Sequence, residues 1–171
     1  MDIHKLDKSS FLFGVLIAFL LSFLIFNYLN TNCYVKPIFS PNSQDQILNL
    51  INNAKESIDV EMYVFSSRDL QQALINARNR GVKIRVILEQ EILSNEESFY
   101  NLISNDIDVK WAPRKFSRTH SKFMIIDRKL VFVGSTNFSY SAVTSNREAA
   151  VVTSCSVFEF NSIFESDWNS N

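Results

Sequence analysis

The chain has 171 residues, a net charge of −1, 46% hydrophobic residues, and only two histidines and two cysteines. That length fits one domain plus an appendage. Near-neutral charge excludes a bulk polycation, so any nucleic-acid affinity must come from a local patch. Two cysteines, Cys33 and Cys155, are too few for a disulfide framework. They are expected to be unpaired, a single bridge in an oxidising compartment being the alternative. No cysteine or histidine cluster has the spacing of a structural zinc site.

Residues 1–10 form a short flank to an uncharged apolar run at 11–29, in which Ser22 and Asn27 are the polar exceptions. The run is long enough to cross a bilayer as a helix, whereas a core helix would need a polar face. Bulky residues follow it, from Asn27 to Tyr34, with no small-residue cleavage site, so an uncleaved transmembrane anchor is expected. Lys5 and Lys8 precede the run and only Lys36 lies close behind it. The positive-inside tendency then puts the N-terminus in the cytoplasm and the rest of the chain on the non-cytoplasmic side of the membrane.

Residues 30–42, with Pro37 and Pro41, read as a tether, and 43–171 as the domain. A capping box from Ser43 to Gln46 precedes a helix carrying Ile47, Leu50, Ile51 and Ala54. Residues 57–65 read as a strand. Residues 67–80 follow as an amphipathic helix through Leu70, Ala73, Leu74 and Ala77, closed by Gly81. Strands are expected at 82–88 and 107–111, with a helix at 91–105 between them. Further strands are expected at 122–126, 130–133 and 148–153. A second capping box, from Ser156 to Glu159, opens a closing helix through Phe160, Ile163, Phe164 and Trp168. Helices alternating with strands predict an α/β fold, a mixed β-sheet sandwiched by helices.

The chemistry concentrates between residues 120 and 148. Lys122 is a compact cation suited to a phosphate oxygen. Ser135 and Asn137 add hydrogen bonds, and Gly134, the glycine of the domain that caps no helix, lets backbone come close to another group. His120 is a candidate nucleophile, and two positions from Lys122 on a strand it projects from the same face. Singly, each residue has an ordinary structural explanation. Together they supply what is needed to grip a phosphodiester and attack it.

The run His120-x-Lys122-x4-Asp127-x6-Gly134-Ser135-x-Asn137 resembles the HKD motif of the phospholipase D superfamily, with every defining position filled. The resemblance extends upstream to Ala54-Lys-Glu-Ser-Ile-Asp-Val, a Tyr-x-Phe strand, and Ala77-Arg-Asn-Arg-Gly81-Val-Lys-Ile-Arg-Val. It implies the phospholipase D-like fold and a small, single-motif member of nuclease-like or mitochondrial type. It also implies a covalent route in which His120 attacks phosphorus and water releases the phosphohistidine. Lys122 and Asn137 would bind phosphate, Ser135 would support the phosphate loop, and Asp127 would hold the motif's geometry or tune a histidine. Glu148, in Asn146-Arg-Glu148, matches the position whose carboxylate orients the imidazole. No metal or other cofactor is called for by this route.

Such a route needs a second acid for the leaving oxygen. The other histidine, His4, precedes the membrane segment, so the resemblance with one motif per chain implies a homodimer sharing one site. The basic stretch from Lys110 to His120 interleaves Trp111 and Phe116 with Arg114, Lys115 and Arg118. Cations with stacking aromatics suit single-stranded nucleic acid, which favours an endonuclease. A headgroup-binding loop, and with it a hydrolase of phospholipids such as phosphatidylcholine or cardiolipin, is the alternative. An inactive membrane-tethered nucleic-acid binder is the third reading.

Overall fold

The computed structural model describes residues 8–29 and 33–170. It divides into two compact units, Met1–Cys33 and Tyr34–Asn171. In the first, helix α1 (Lys8–Leu29) is 22 residues of mainly apolar sequence, and its described side chains are exposed all round. Those side chains run only from Ser9 to Ile25. Within them no helix is long and apolar enough to cross a membrane, for which about 20 residues are needed. The expected anchor is therefore not shown by the fold. His4 and Lys5 lie outside the described residues.

The second unit is a seven-stranded mixed sheet in the order β1-β7-β6-β5-β2-β3-β4. Its strands are β1 (Val35–Phe39), β2 (Ser57–Met62), β3 (Lys83–Leu88), β4 (Asp108–Trp111), β5 (Lys122–Ile126), β6 (Leu130–Gly134) and β7 (Ala149–Thr153). Strands β2, β3 and β4 are parallel, and the remaining ladders are antiparallel. Helices α2 (Gln44–Asn53), α3 (Arg68–Asn79) and α4 (Ser94–Ile103) supply the crossovers. With one sheet face they enclose the larger core, which includes Ile47, Ile58, Val60, Leu74 and Phe138. The other face packs Phe123, Ile125 and Val131 against Phe164 of α6 (Val157–Trp168). Alternation along β2 divides the layers: Ile58, Val60 and Met62 enter the larger core, and Asp59 and Glu61 point the other way.

Gly81, at φ 92°, ends α3 in the left-handed region that glycine enters without a steric penalty. Five expectations are corrected. The tether contains a strand: residues 35–39 pair antiparallel with β7 as Val35↔Thr153 through Phe39↔Ala149. Pro37 is tolerated because β1 is an edge strand, where a missing N–H breaks no ladder on the open side. Neither capping box forms its side-chain bond. Ser43 Oγ donates instead to Val143 O at 3.3 Å, and Ser156 sits at φ 56°, where it does not cap. Helix α4 begins at Ser94 rather than 91, and a short helix α5 (Tyr140–Thr144) appears where none was expected.

The last correction concerns the cysteines: both Cys33 and Cys155 are disulfide-bonded, and neither is free. The β1–β7 ladder orders the chain near them, with Tyr34 N donating to Ser154 Oγ at 2.9 Å. Bridging was held only as the alternative reading, since β1, which orders the chain beside Cys33, was not expected.

Candidate active site

Lys122 opens β5, opposite Met62 in the ladder with β2, and His120 stands two residues before it. The chain is pinned on both sides of the histidine. Thr119 N donates to Glu89 Oε2 at 2.6 Å, and Tyr63 N donates to Ser121 O at 2.9 Å. The Tyr63 ring lies 4.1 Å from the imidazole, tilted by 52°, and forms a platform under it. Lys122 is 8% exposed, and its Nζ is 5.1 Å from the centre of the same ring. Nζ lies 3.1 Å from His120 Nδ1 and donates to His120 O at 2.9 Å. The expectation that the two side chains project together therefore holds.

Electrostatics favour a neutral imidazole. Desolvation first, then the cations of Lys122 and Arg118, hold His120 below its ordinary value. A neutral ring keeps a lone pair, which a nucleophile requires. Desolvation also lowers Lys122, opposed by the negative charge of Glu148.

A second chain segment closes the site. Phe138, buried against Phe65 in an edge-on contact, accepts hydrogen bonds from Ser66 N and Ser67 N at 2.9 Å. That anchoring places Asn137 Oδ1 to accept from Val64 N at 3.2 Å, one residue beyond Tyr63. With the carbonyl engaged, the amide's donors remain for a phosphate oxygen. Ser135 Oγ donates to Glu148 Oε2 at 2.5 Å and accepts from Ala149 N at 3.1 Å. Gly134 makes the approach possible, because a Cβ there would sit 2.3 Å from Ala149 O and 2.4 Å from Ala150 Cα. The close approach foreseen at this glycine is thus made to strand β7.

Two candidates remain. Glu148, expected on the imidazole, bonds Ser135 and Asn146 in the single chain, the latter at 3.3 Å. The β6–β7 ladder places its carboxylate beside Ser135, in the loop that follows β6. Asp127 sits in a left-handed turn at φ 52°, at the far end of β5 from His120. It accepts from the backbone N–H groups of Lys55, Glu56 and Ser57 at 2.7–3.0 Å. Burial acts to raise its pKa, but these donors outweigh it and hold the carboxyl below its ordinary value. These bonds fit the first of its two expected roles, holding the motif's geometry, and among the described residues no histidine bonds to it.

The basic stretch is largely engaged with the chain itself. Lys115 pairs with Asp167 at 3.1 Å, Arg118 with Glu91 at 3.0 Å, and Arg114 donates to Gln90 at 3.2 Å. Trp111 stacks on Phe99 at 4.0 Å and 6°, so its face is committed to packing, while Phe116 stays half-exposed. Three contributors were missed in the sequence. Tyr63 was seen only as part of a strand, and Glu89 fell between the strand expected to end at 88 and the helix expected from 91. Asn95 is buried and binds Phe65 N, Tyr63 O and Glu89 O, each at 2.8 Å. A polar residue in an expected helix carries no mark of such a clamp.

Residues 47–168 match the model of a family described as cardiolipin synthase, PLD-like domain. A phospholipase D from Rickettsia conorii is 36% identical over 109 residues, covering 62% of this chain and 53% of that protein. A mitochondrial cardiolipin hydrolase from Mus musculus is 29% identical over 114 residues, covering 66% and 51% respectively. The chain thus spans about half the length of these curated relatives. The crystal structure of Nuc, a phospholipase D family member from Salmonella typhimurium, superposes with a TM-score of 0.75 at 26% identity, covering 81% of this chain and 96% of that one. A family match over most of the domain, on this fold and around these residues, means that the chain belongs to the phospholipase D superfamily, in its cardiolipin synthase PLD-like domain family.

Proposed function

We propose that the protein is a phosphodiesterase acting through a phosphohistidine at a site completed by a second copy of the chain. The observation that carries this is the buried Lys122 ammonium beside the exposed, neutral-leaning imidazole of His120. His120 attacks phosphorus, forming a P–N bond as the bond to the leaving oxygen breaks. His120 of the second copy gives that oxygen its proton, because the described chain holds no other histidine. Water then breaks the P–N bond and regenerates the imidazole. Lys122, Asn137 and the Ser135 loop hold the phosphate oxygens, and no metal is called for by these steps.

The substrate we favour is nucleic acid, cut internally. His120 lies on exposed surface, where a polymer can cross the site, and 96% of the Nuc chain is matched in fold. Phospholipid hydrolysis is the second reading, favoured by the names of the curated relatives and by the apolar helix α1. We further infer that residues 11–29 anchor the protein by a single pass, with the catalytic unit on the non-cytoplasmic side. Disulfide-bonded cysteines accord with an oxidising compartment there.

The full chain in detergent, given single-stranded DNA, RNA, duplex DNA and cardiolipin or phosphatidylcholine vesicles, tests these readings. Cleavage of nucleic acid in the presence of chelator, absent in His120→Asn, is expected. Cleavage of lipid alone overturns the nuclease reading, and activity surviving the substitution overturns the mechanism. The shared site is tested by mixing chains: a monomer with full activity overturns it.

A further inference from the structure

One buried acid lies beneath the site without a role in the steps above. Glu61 is 1% exposed, on the β2 face turned towards α6, and its Oε2 has no hydrogen-bond partner. Its cross-strand neighbours are apolar, Ile87 on β3 and Phe123 on β5. Across the β2–β5 ladder its diagonal neighbour on the same face is Ser121, the residue between His120 and Lys122, whose hydroxyl favours the ionised carboxyl. Ser121 is also held through its carbonyl by Tyr63 N, two residues further along β2. Glu61 and Tyr63 therefore bear on one residue, Glu61 from the diagonal position and Tyr63 through its backbone, and Tyr63 carries the imidazole on its ring.

We propose that Glu61 is a positioning residue for His120, gripping Ser121 from inside the sheet and so setting how the imidazole and Lys122 face a substrate. An unpartnered carboxyl oxygen inside an apolar layer is costly, and an apolar side chain would fill the place more stably. That cost points to a use, and the grip on the residue between two motif positions supplies one.

The grip is pH-dependent. Burial, the largest influence, pushes the Glu61 carboxyl up to about 7. The Ser121 hydroxyl pulls it down, Asp167 of α6 raises it and Lys115 of the loop lowers it. The ionised form accepts the Ser121 hydroxyl more strongly than the neutral acid does. Turnover should then rise as pH climbs through about 7, above the separate step of His120.

This inference rests on His120 as nucleophile, and the experiment separates the two. Hydrolysis of bis(4-nitrophenyl) phosphate by the full chain is followed from pH 5 to 9 in wild type, Glu61→Gln, Glu61→Met and Ser121→Ala. Glu61→Gln keeps an acceptor but cannot ionise, so its kcat stays near the wild type's level on the acidic side of the step and the step near neutral pH disappears. Glu61→Met lowers kcat on the order of tenfold with KM little changed and no loss of melting temperature. Ser121→Ala gives a similar loss, and the double variant loses no more. A Glu61→Gln profile that keeps the step near neutral pH overturns the proposal, as does Glu61→Met with wild-type kcat. Should Glu61→Met fail to fold, the Glu61→Gln profile decides alone. Activity in His120→Asn overturns the underlying reading instead, a result distinct from either.

Discussion

The Lys122 ammonium lies 3.1 Å from Nδ1 of His120 and donates to the carbonyl of the same residue at 2.9 Å. One cation thus orients the ring, discourages its protonation and waits beside it for a phosphate. Because His120 is held below its ordinary value, the limb on which activity rises with pH should lie below that of a free histidine, while the proton that the second copy's His120 must keep gives an opposing, falling limb. Lys122→Gln removes one of the cations responsible, so the step should move up, and loss of a phosphate-gripping charge should lower kcat by about a hundredfold or more. A pH–rate series on both proteins checks this. An unmoved acidic step would mean that Lys122 does not set the state of the histidine.

Glu148 and Ser135 act as one unit in the single chain, joined at 2.5 Å. Ser135→Ala and Glu148→Gln should each reduce kcat, and the double variant should lose little more than either. Glu148 also holds Lys122 up, so Glu148→Gln should bring the alkaline fall in activity to lower pH while leaving the acidic step in place. Had Glu148 oriented the imidazole directly, the acidic step would shift instead. The two limbs of one profile therefore distinguish the roles.

Gly134 is required by space rather than by dihedral angle. A methyl group 2.3 Å from Ala149 O and 2.4 Å from Ala150 Cα cannot be accommodated without moving β7 away from β6. Gly134→Ala should cost about 1–3 kcal/mol, as overpacking does. It should also lower kcat, because Ser135 and Glu148 sit at either end of the displaced contact. Thermal unfolding and steady-state kinetics on the same preparation check both effects.

These roles show which parts of the fold were legible. His120, Lys122, Gly134, Ser135 and Asn137 were readable because β5 and β6 are consecutive strands, so fixed spacing in sequence becomes fixed placement in space. Alternation exposed β2 through β7 in the same way. Strand β1 was hidden by Pro37, since proline usually argues against a ladder and only the edge position excuses it. Trp111 looked like a stacking platform because its partner Phe99 comes from a different element and leaves no trace near it. Glu61 read as one more polar position in an alternating strand, because helix α6, which buries that face, lies a hundred residues away in sequence. Roles set by long-range packing were the ones missed.

Asp127 separates structure from chemistry within the motif. Its carboxylate binds three consecutive backbone N–H groups leading into β2. Asp127→Ala should cost about 1–2 kcal/mol, the partial exposure of the turn letting water replace some of those bonds. Turnover per folded molecule should hold, since β5 lies between Asp127 and His120. The depressed carboxyl adds stability that is complete above the pKa of the unfolded chain and is lost as pH falls through the folded value. Acid unfolding should therefore begin at higher pH in the variant. A kcat that collapses while the fold survives would return Asp127 to the chemistry.

Glu61 makes the opposite contribution, since burial raises its carboxyl from the ordinary 4.5 to about 7. Between those values the unfolded chain releases a proton that the folded chain retains. Stability therefore falls as pH rises through this window, and the loss is complete above the folded value. The shift corresponds to a loss on the order of 3 kcal/mol. Carboxyls held low, such as Asp127 and Glu165, add little further change above about pH 5.5. His120, held below its ordinary 6.5, gains stability up to that pH and offsets part of the fall, equally in wild type and Glu61→Met. Thermal unfolding of the wild type should show a melting temperature that drops between pH 5 and pH 8. Glu61→Met should flatten the curve and be the more stable protein at pH 8. If the two proteins follow parallel curves across that range, Glu61 does not ionise there, and the pH step assigned to its grip on Ser121 must come from another group.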